Sequence, residues 1–303
     1  MSVLKNLVNA KSTLNTLAKS SDMLVELSDT ELKKIQDILF EMYHDLLEVC
    51  TKYNIKLYFT GGSALGVVRH KGYIPWDEDL DLAITRKDFN KLTEVFEKEL
   101  SDKYILNAPN YSKNAKARSP MILKKDSYFE TVIDVHDENL HKLYVDLFVI
   151  ENVPDNRIHR FFKGSMSNML QFISSQVYFY ECRDEEMKKY MAPAGWSYYH
   201  FRIAIGWLFS FLSASKWFDL TDKMMQYKNE NSKCCGTVSG RRHYFKEVLP
   251  RDIWFPSKIK QFNGEDVNVF NKVEEYLSNL YGDYMKIPPV EKRERHFVYK
   301  IKL

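Results

Sequence analysis

Between Thr60 and Ile84 the chain reads TGGSALGVVRHKGYIPWDEDLDLAI, a Gly-Gly-Ser turn followed by Asp77, Glu78, Asp79 and Asp81 crowded among apolar residues. A carboxylate beside a hydrophobic layer is expensive to desolvate unless something pairs it, so this pattern admits few folds. The run DLDLAIT alternates acid and aliphatic with period two, which predicts a strand with Asp79 and Asp81 on one face and Leu80 and Leu82 on the other. Upstream, IKLYFT is β-rich and ends at Gly61-Gly62, a strand emptying into a tight turn, with one or two helical turns following in SALGVVRH. Pro75 keeps Ile74 out of the helical region and separates that helix from the acids. Strands that bring a glycine turn and paired acids to one sheet edge predict an α+β fold, a mixed β-sheet core with helices around it.

The rest of the chain fits that frame. Ser28 and Glu31 form a capping-box pattern, and Leu32, Ile35, Leu39, Met42, Leu46 and Val49 recur at helical spacing to about Tyr53. A helix is expected from Lys87 to about Leu100. Strands are expected in YILNA, PMILKK, ETVIDV and KLYVDLFVI, the last placing Asp146 inside an apolar run. After Pro154 the pattern turns helical, with long helices expected within Phe161–Tyr180 and Tyr198–Tyr227. The expected organisation is a helical extension over 1–27, a catalytic core over 28–154, and a mostly helical donor- and substrate-binding region over 155–303.

The 303 residues, 45% hydrophobic, suffice for one large core or two modest ones. Lys and Arg (44) nearly balance Asp and Glu (41), which excludes the broad positive field of a nucleic-acid binder. Cys50, Cys182, Cys234 and Cys235 have neither zinc-ligand spacing nor a secreted disulfide pattern, and read as reduced structural thiols. The N-terminus lacks signal-peptide features, so the expected compartment is the cytoplasm. The apolar stretch Phe201–Phe218 has a charge-free run too short to span a bilayer. It reads as a buried helix, with a peripheral contact at the inner face of the membrane as the alternative.

Oxygen ligands without nearby His or Cys suit a hard cation, so Asp79 and Asp81 are candidate ligands for Mg²⁺, with Mn²⁺ as the alternative. Gly61, Gly62 and Ser63, at a strand-to-helix turn, are candidate seats for donor phosphates. Asp146 is the candidate third carboxylate, as a second-metal ligand or as the base for an attacking hydroxyl. Arg69, with His70 and Lys71, precedes the acids and can reach phosphate. Trp76 is either core or a wall for the donor alcohol. Near the C-terminus Lys292, Arg293, Arg295 and His296 are candidate phosphate contacts. Together these features point to phosphoryl transfer; the competing reading is a solvated acidic loop.

Gly61-Gly62-Ser63, Asp79-Leu80-Asp81 and Asp146 resemble the pattern of the nucleotidyltransferase (DNA polymerase β-like) superfamily. The fuller GGSALGVVRHKGYIPWDEDLDLAI resembles the signature of the LicD family of phosphotransferases, relatives of the fukutin-type enzymes. YLSNLYGDYMKIPPVEKRERH, from Tyr276 to His296, resembles that family's second hallmark. The resemblance implies a Mg²⁺-dependent transfer of an alcohol phosphate, such as phosphocholine, from a CDP-alcohol donor to a sugar hydroxyl of a glycan or glycolipid. In it Asp79 and Asp81 would hold metal, Asp146 would be ligand or base, and Gly62 and Ser63 would seat the donor. Glu78 departs from the Asp of many members. Nucleotidyl transfer from an NTP and a non-catalytic binding role are the alternatives.

Overall fold

In the computed structural model the described residues are 27–131, 140–183, 188, 196–289, 293 and 298–302. The expected N-terminal extension lies almost entirely outside them, as does most of ETVIDV. Helix α1 (Asp29–Lys52) starts on the expected capping box: Glu31 N–H donates to Ser28 Oγ, and Ser28 N–H donates to Glu31 Oε2 at 2.9 Å. The predicted apolar stripe is its buried face.

After α1 come β1 (Leu57–Phe59), α2 (Gly61–Arg69), β2 (Asp81–Thr85), α3 (Arg86–Glu99), β3 (Tyr104–Asn107), β4 (Met121–Lys124), β5 (Tyr128–Thr131) and β6 (Tyr144–Asn152). The main sheet runs β1-β2-β6-β4-β3, with β2 and β6 parallel and the other neighbours antiparallel. It is the mixed sheet expected of the α+β class. Strand β2 begins at Asp81, two residues later than the alternation predicts. The physical reason is that Asp81 N–H bonds Ser63 Oγ, so the ladder to β1 starts at Leu82, opposite Phe59.

The helical region follows as α4 (Arg157–Glu181), α5 (Trp196–Leu208) and α6 (Ala214–Met225). The expected continuous helix over 198–227 is two helices, because Ser213 takes an extended conformation (φ −65°, ψ 156°) and caps α6 by accepting Lys216 N–H. The chain then returns to the sheet. Strand β7 (Cys234–Gly236) pairs with the end of β6, α7 (His243–Glu247) and β8 (Val248–Pro250) follow, and α8 (Arg251–Trp254) leads to the hairpin β9 (Lys258–Phe262) and β10 (Glu265–Val269). Helix α9 (Val273–Tyr281) and β11 (Val298–Lys302), paired with β5, complete the described chain. Trp254, Phe262, Phe270 and Leu277 join the same core as Leu39, Phe59 and Leu82, so the last third of the chain packs directly on the sheet. None of the four cysteines is in a disulfide.

One buried ion cluster ties three elements together. Arg86, at the start of α3, bonds Glu151 on β6 and Asp222 on α6, and all three side chains are at most 15% exposed. Arg86→Met strands two carboxylates away from water and is expected to remove about 3–5 kcal/mol of stability. Urea denaturation reads this directly, and a midpoint equal to wild type would show that the cluster holds nothing.

Candidate functional site

Thr60 ends β1 in an extended conformation, and α2 starts at Gly61 itself, whose φ of +50° is one a side chain rarely tolerates. The glycine turn is therefore the helix's first turn, and its groups are aimed at Asp81. Gly62 N–H donates to Asp81 Oδ2 at 2.7 Å, Asp81 N–H donates to Ser63 Oγ at 2.8 Å, and Thr60 N–H donates to Asp81 C=O at 3.1 Å.

The parallel register places Asp81 directly opposite Asp146. Side chains at paired positions leave the same sheet face on strands about 4.8 Å apart, so the acid read from the distant apolar run stands beside Asp81. Asp146 N–H donates to Leu80 C=O at 3.1 Å, fixing that register up to the strand mouth.

Asp77 and Asp79 close in from the preceding loop. A Cβ placed on Gly62 would lie 3.0 Å from Asp77 Oδ2, 3.4 Å from Asp81 Oδ2 and 4.0 Å from Asp79 Oδ1. Three carboxylates thus converge over the one residue that has no side chain to fill the space. Burial, followed by the charges of Asp79, Glu78 and Asp81, holds the Asp77 carboxyl well above the usual carboxylate range. Among the described residues no three His, Cys, Asp or Glu side chains are gathered closely enough to hold a metal ion as they stand. The all-oxygen chemistry of the site's acids, their mutual repulsion and the Cβ-free space over Gly62 fit a hard divalent cation.

The sign of the Asp77 shift sets a pH dependence. A carboxyl whose folded-state value is raised contributes stability below its ordinary value and loses it as pH climbs through the raised one. Metal-free protein is expected to melt at lower temperature near about pH 8 than near about pH 5, with Asp77→Asn flattening that slope. Thermal melts across this range check it; an unchanged slope in the variant would refute the assignment.

The second motif lies against the first. Tyr276 Oη accepts Gly61 N–H at 3.2 Å and bonds Thr60 Oγ1 at 2.8 Å, so α9 latches the glycine turn. Burial, then Asp81 and Tyr276, push the Tyr281 phenol far above its ordinary value, with Arg241 opposing. The turn bearing Arg241 is organised by buried Glu247, which accepts from Thr237 Oγ1 at 2.5 Å and Arg242 N–H at 2.7 Å. Arg242 donates to the Asn279 and Leu280 carbonyls at 2.9 Å, fastening this turn to the end of α9.

Arg69, Trp76 and Arg293 also come together. The Arg293 guanidinium lies 4.1 Å from the Trp76 ring centre and Arg69 lies 6.0 Å from it, while Arg69 Nη1 donates to Tyr284 C=O at 2.7 Å. Trp76 is buried and occupied by cations of the chain itself. Arg69 Nε–H donates to His70 Nε2 at 2.8 Å, and burial together with that guanidinium pushes the His70 imidazole below its usual value. Lys292, Arg295 and His296 lie outside the described residues.

Sequence reasoning chose Asp79 and Asp81 over Asp77 as candidate ligands and gave Tyr276, Arg241 and Arg242 no part. Asp77 could have been found from its spacing: Pro75 and Trp76 force a bend that returns the next acid toward the strand end. The others act through contacts with residues far away in the chain.

Residues 54–194 match the family described as "LicD/FKTN/FKRP, nucleotidyltransferase domain". The chain is 24% identical over 263 residues to the lipopolysaccharide cholinephosphotransferase LicD of Haemophilus influenzae, covering 86% of this chain and 92% of that protein. It is 39% identical over 77 residues to an uncharacterized protein of Rickettsia prowazekii, covering 23% of this chain and 29% of that protein. A similar protein of Rickettsia typhi is 40% identical over 70 residues, 21% of this chain and 23% of its own length. The match to the LicD/FKTN/FKRP nucleotidyltransferase domain spans the glycine turn, the acids and Asp146, and the likeness to the Haemophilus LicD protein extends through most of the chain.

Proposed function

We propose that the protein is a LicD-type phosphotransferase that moves an alcohol phosphate, phosphocholine or a similar group, from a CDP-activated donor to a sugar hydroxyl of lipopolysaccharide or another cell-surface glycan. The observation that carries this reading is the pairing of Asp81 with Asp146 beside the carboxylates converging over Gly62. The likeness to a cholinephosphotransferase supports the choice of transferred group.

Asp79, Asp81 and Asp146, with Asp77, would hold Mg²⁺ or Mn²⁺, and the bound cation would supply charge neutralisation at the phosphate oxygens. The chain's own part is orientation. Gly62 and Ser63 fix the Asp81 carboxylate through its Oδ2 and backbone N–H, and the absent Cβ leaves room for a donor phosphate beside it. Arg69 and Arg293 bring positive charge to the same edge, where a departing CMP would need it. As the alternative to ligating the cation, Asp146 would take the acceptor hydroxyl's proton as its oxygen bonds phosphorus and the bond from that phosphorus to CMP breaks.

The test is incubation of the purified protein and Mg²⁺ with CDP-choline, CDP-ribitol and CDP-glycerol plus glycan acceptor, following CMP. CMP formation that depends on acceptor supports the reading. Pyrophosphate from CTP or ATP without CMP from any CDP-alcohol would replace it with nucleotidyl transfer.

A further inference from the structure

The first four turns of α4 carry a stripe that the fold leaves uncovered. Ile158, Phe161, Phe162, Met169 and Phe172 recur at helical spacing and are all exposed, Phe162 at 67%. Over that length a helix rises about 21 Å, enough to lie in the plane of a surface. One turn beyond Phe172, the same face is met by α5: a Cβ on Gly206 would lie 2.4 Å from Gln176 C=O and from Tyr180 Cβ. The next residues, Trp207 and Leu208, and then Phe211, are exposed again, at 64%, 57% and 70%. The exposed apolar residues of α5 thus follow directly on its contact with α4. No helix among the described residues is long and apolar enough to cross a membrane, so this face can lie on a bilayer but not pass through it.

Charge selects the occupant. Among the described residues from 157 to 213 the one acid is Glu181, whose carboxylate accepts Ala214 N–H at 2.7 Å and faces Lys116 at 3.6 Å; Asp184, Glu185 and Glu186 fall outside them. Arg157, at the start of α4, and Arg183, just past its end, are exposed. The stripe is also linked to the site through α7. Phe161 packs 6.0 Å from Phe245 on α7, and the turn leading into α7 is bonded through Arg242 to Leu280, next to Tyr281.

We infer that the α4–α5 face is a docking surface for an anionic bilayer, which would hold the catalytic cleft against a lipid-linked acceptor. An aromatic and aliphatic face flanked by Arg157 and Arg183, with Trp207 at its end, suits the bilayer interface, where aromatic rings sit at headgroup level. The choice of lipid over another apolar surface rests on the glycan acceptor of the proposed function. The surface itself is read without any transfer.

The experiment is co-sedimentation of the full chain, without donor or acceptor, with vesicles of phosphatidylglycerol and phosphatidylethanolamine or of phosphatidylcholine alone. Wild type is expected to bind the anionic vesicles and to bind the neutral ones about ten-fold more weakly. The triple variant Phe161→Ser, Phe162→Ser, Trp207→Ser is expected to lose about ten-fold or more in anionic vesicle binding. Its melting temperature and its CMP release with a soluble acceptor should stay at wild-type values. Wild type remaining in the supernatant, equal binding to both compositions, or a triple variant that binds like wild type overturns the inference. So does a dimer that the triple substitution dissolves while wild type ignores vesicles, because the face would then belong to a second copy. Vesicle binding without turnover would leave this surface standing and count against the proposed reaction alone.

Discussion

Asp81→Asn is expected to lower acceptor-dependent CMP release by about a thousand-fold while leaving the protein folded. The substitution keeps the size of the side chain, and the amide oxygen can still accept Gly62 N–H, now 2.7 Å from Asp81 Oδ2. The backbone contacts to Ser63 and Thr60 do not involve the side chain at all. What disappears is the negative charge at the one acid that both faces Asp146 and borders the space over Gly62. Rate measurements at saturating donor, with a thermal melt alongside, separate lost chemistry from lost structure. A variant that turns over at the wild-type rate would remove Asp81 from the machinery and with it the proposed reaction. Asp146→Asn should fall into the same class, since its partner across the ladder is unchanged.

Gly61→Ala is the second large effect, and it works through geometry instead of charge. The φ of +50° alone makes a side chain unfavourable by about 1–2 kcal/mol. The new Cβ would also stand 2.3 Å from Asp81 Oδ2 and 3.0 Å from its Cγ, so the carboxylate must turn away. Misplacing a catalytic group by about an ångström is worth on the order of a hundred-fold in rate. Gly264→Ala separates the two causes. Gly264 has a φ of +86° and nothing within 4 Å of an added Cβ, so it carries strain without a clash. The expected outcome is a comparable loss of stability in both variants and a loss of CMP release in Gly61→Ala alone. Equal activity in the two would show that the approach to Asp81 does not matter.

The parts of this molecule that were legible in its sequence are those whose causes are local. The α1 helix announces itself through Ser28, Glu31 and a 3.6-residue stripe, and each signal is satisfied within a few residues. Asp146 stood out as an acid inside an apolar strand, and the parallel register sets it opposite Asp81. The start of β2 was misjudged because a side chain, Ser63 Oγ, takes the N–H that a ladder would otherwise use. The break between α5 and α6 had a visible signal in Ser213, an N-cap residue, but the apolar pattern ran straight through it. The β9–β10 hairpin also had one: Asn263-Gly264, both at positive φ, lies between two β-rich runs. Arg242 and Glu247 had none, since their partners at Leu280 and Thr237 are set by packing alone.

The bond from Gly61 N–H to Tyr276 spans 215 positions of chain. A ribosome releases the glycine turn 215 positions before the tyrosine, so over that stretch of synthesis the turn has no latch. A nascent chain, or a fragment ending before Val273, therefore holds every acid of the site yet cannot fasten the loop that aims Asp81. Emergence of α9 is the step that fastens the turn, because Tyr276 is its partner.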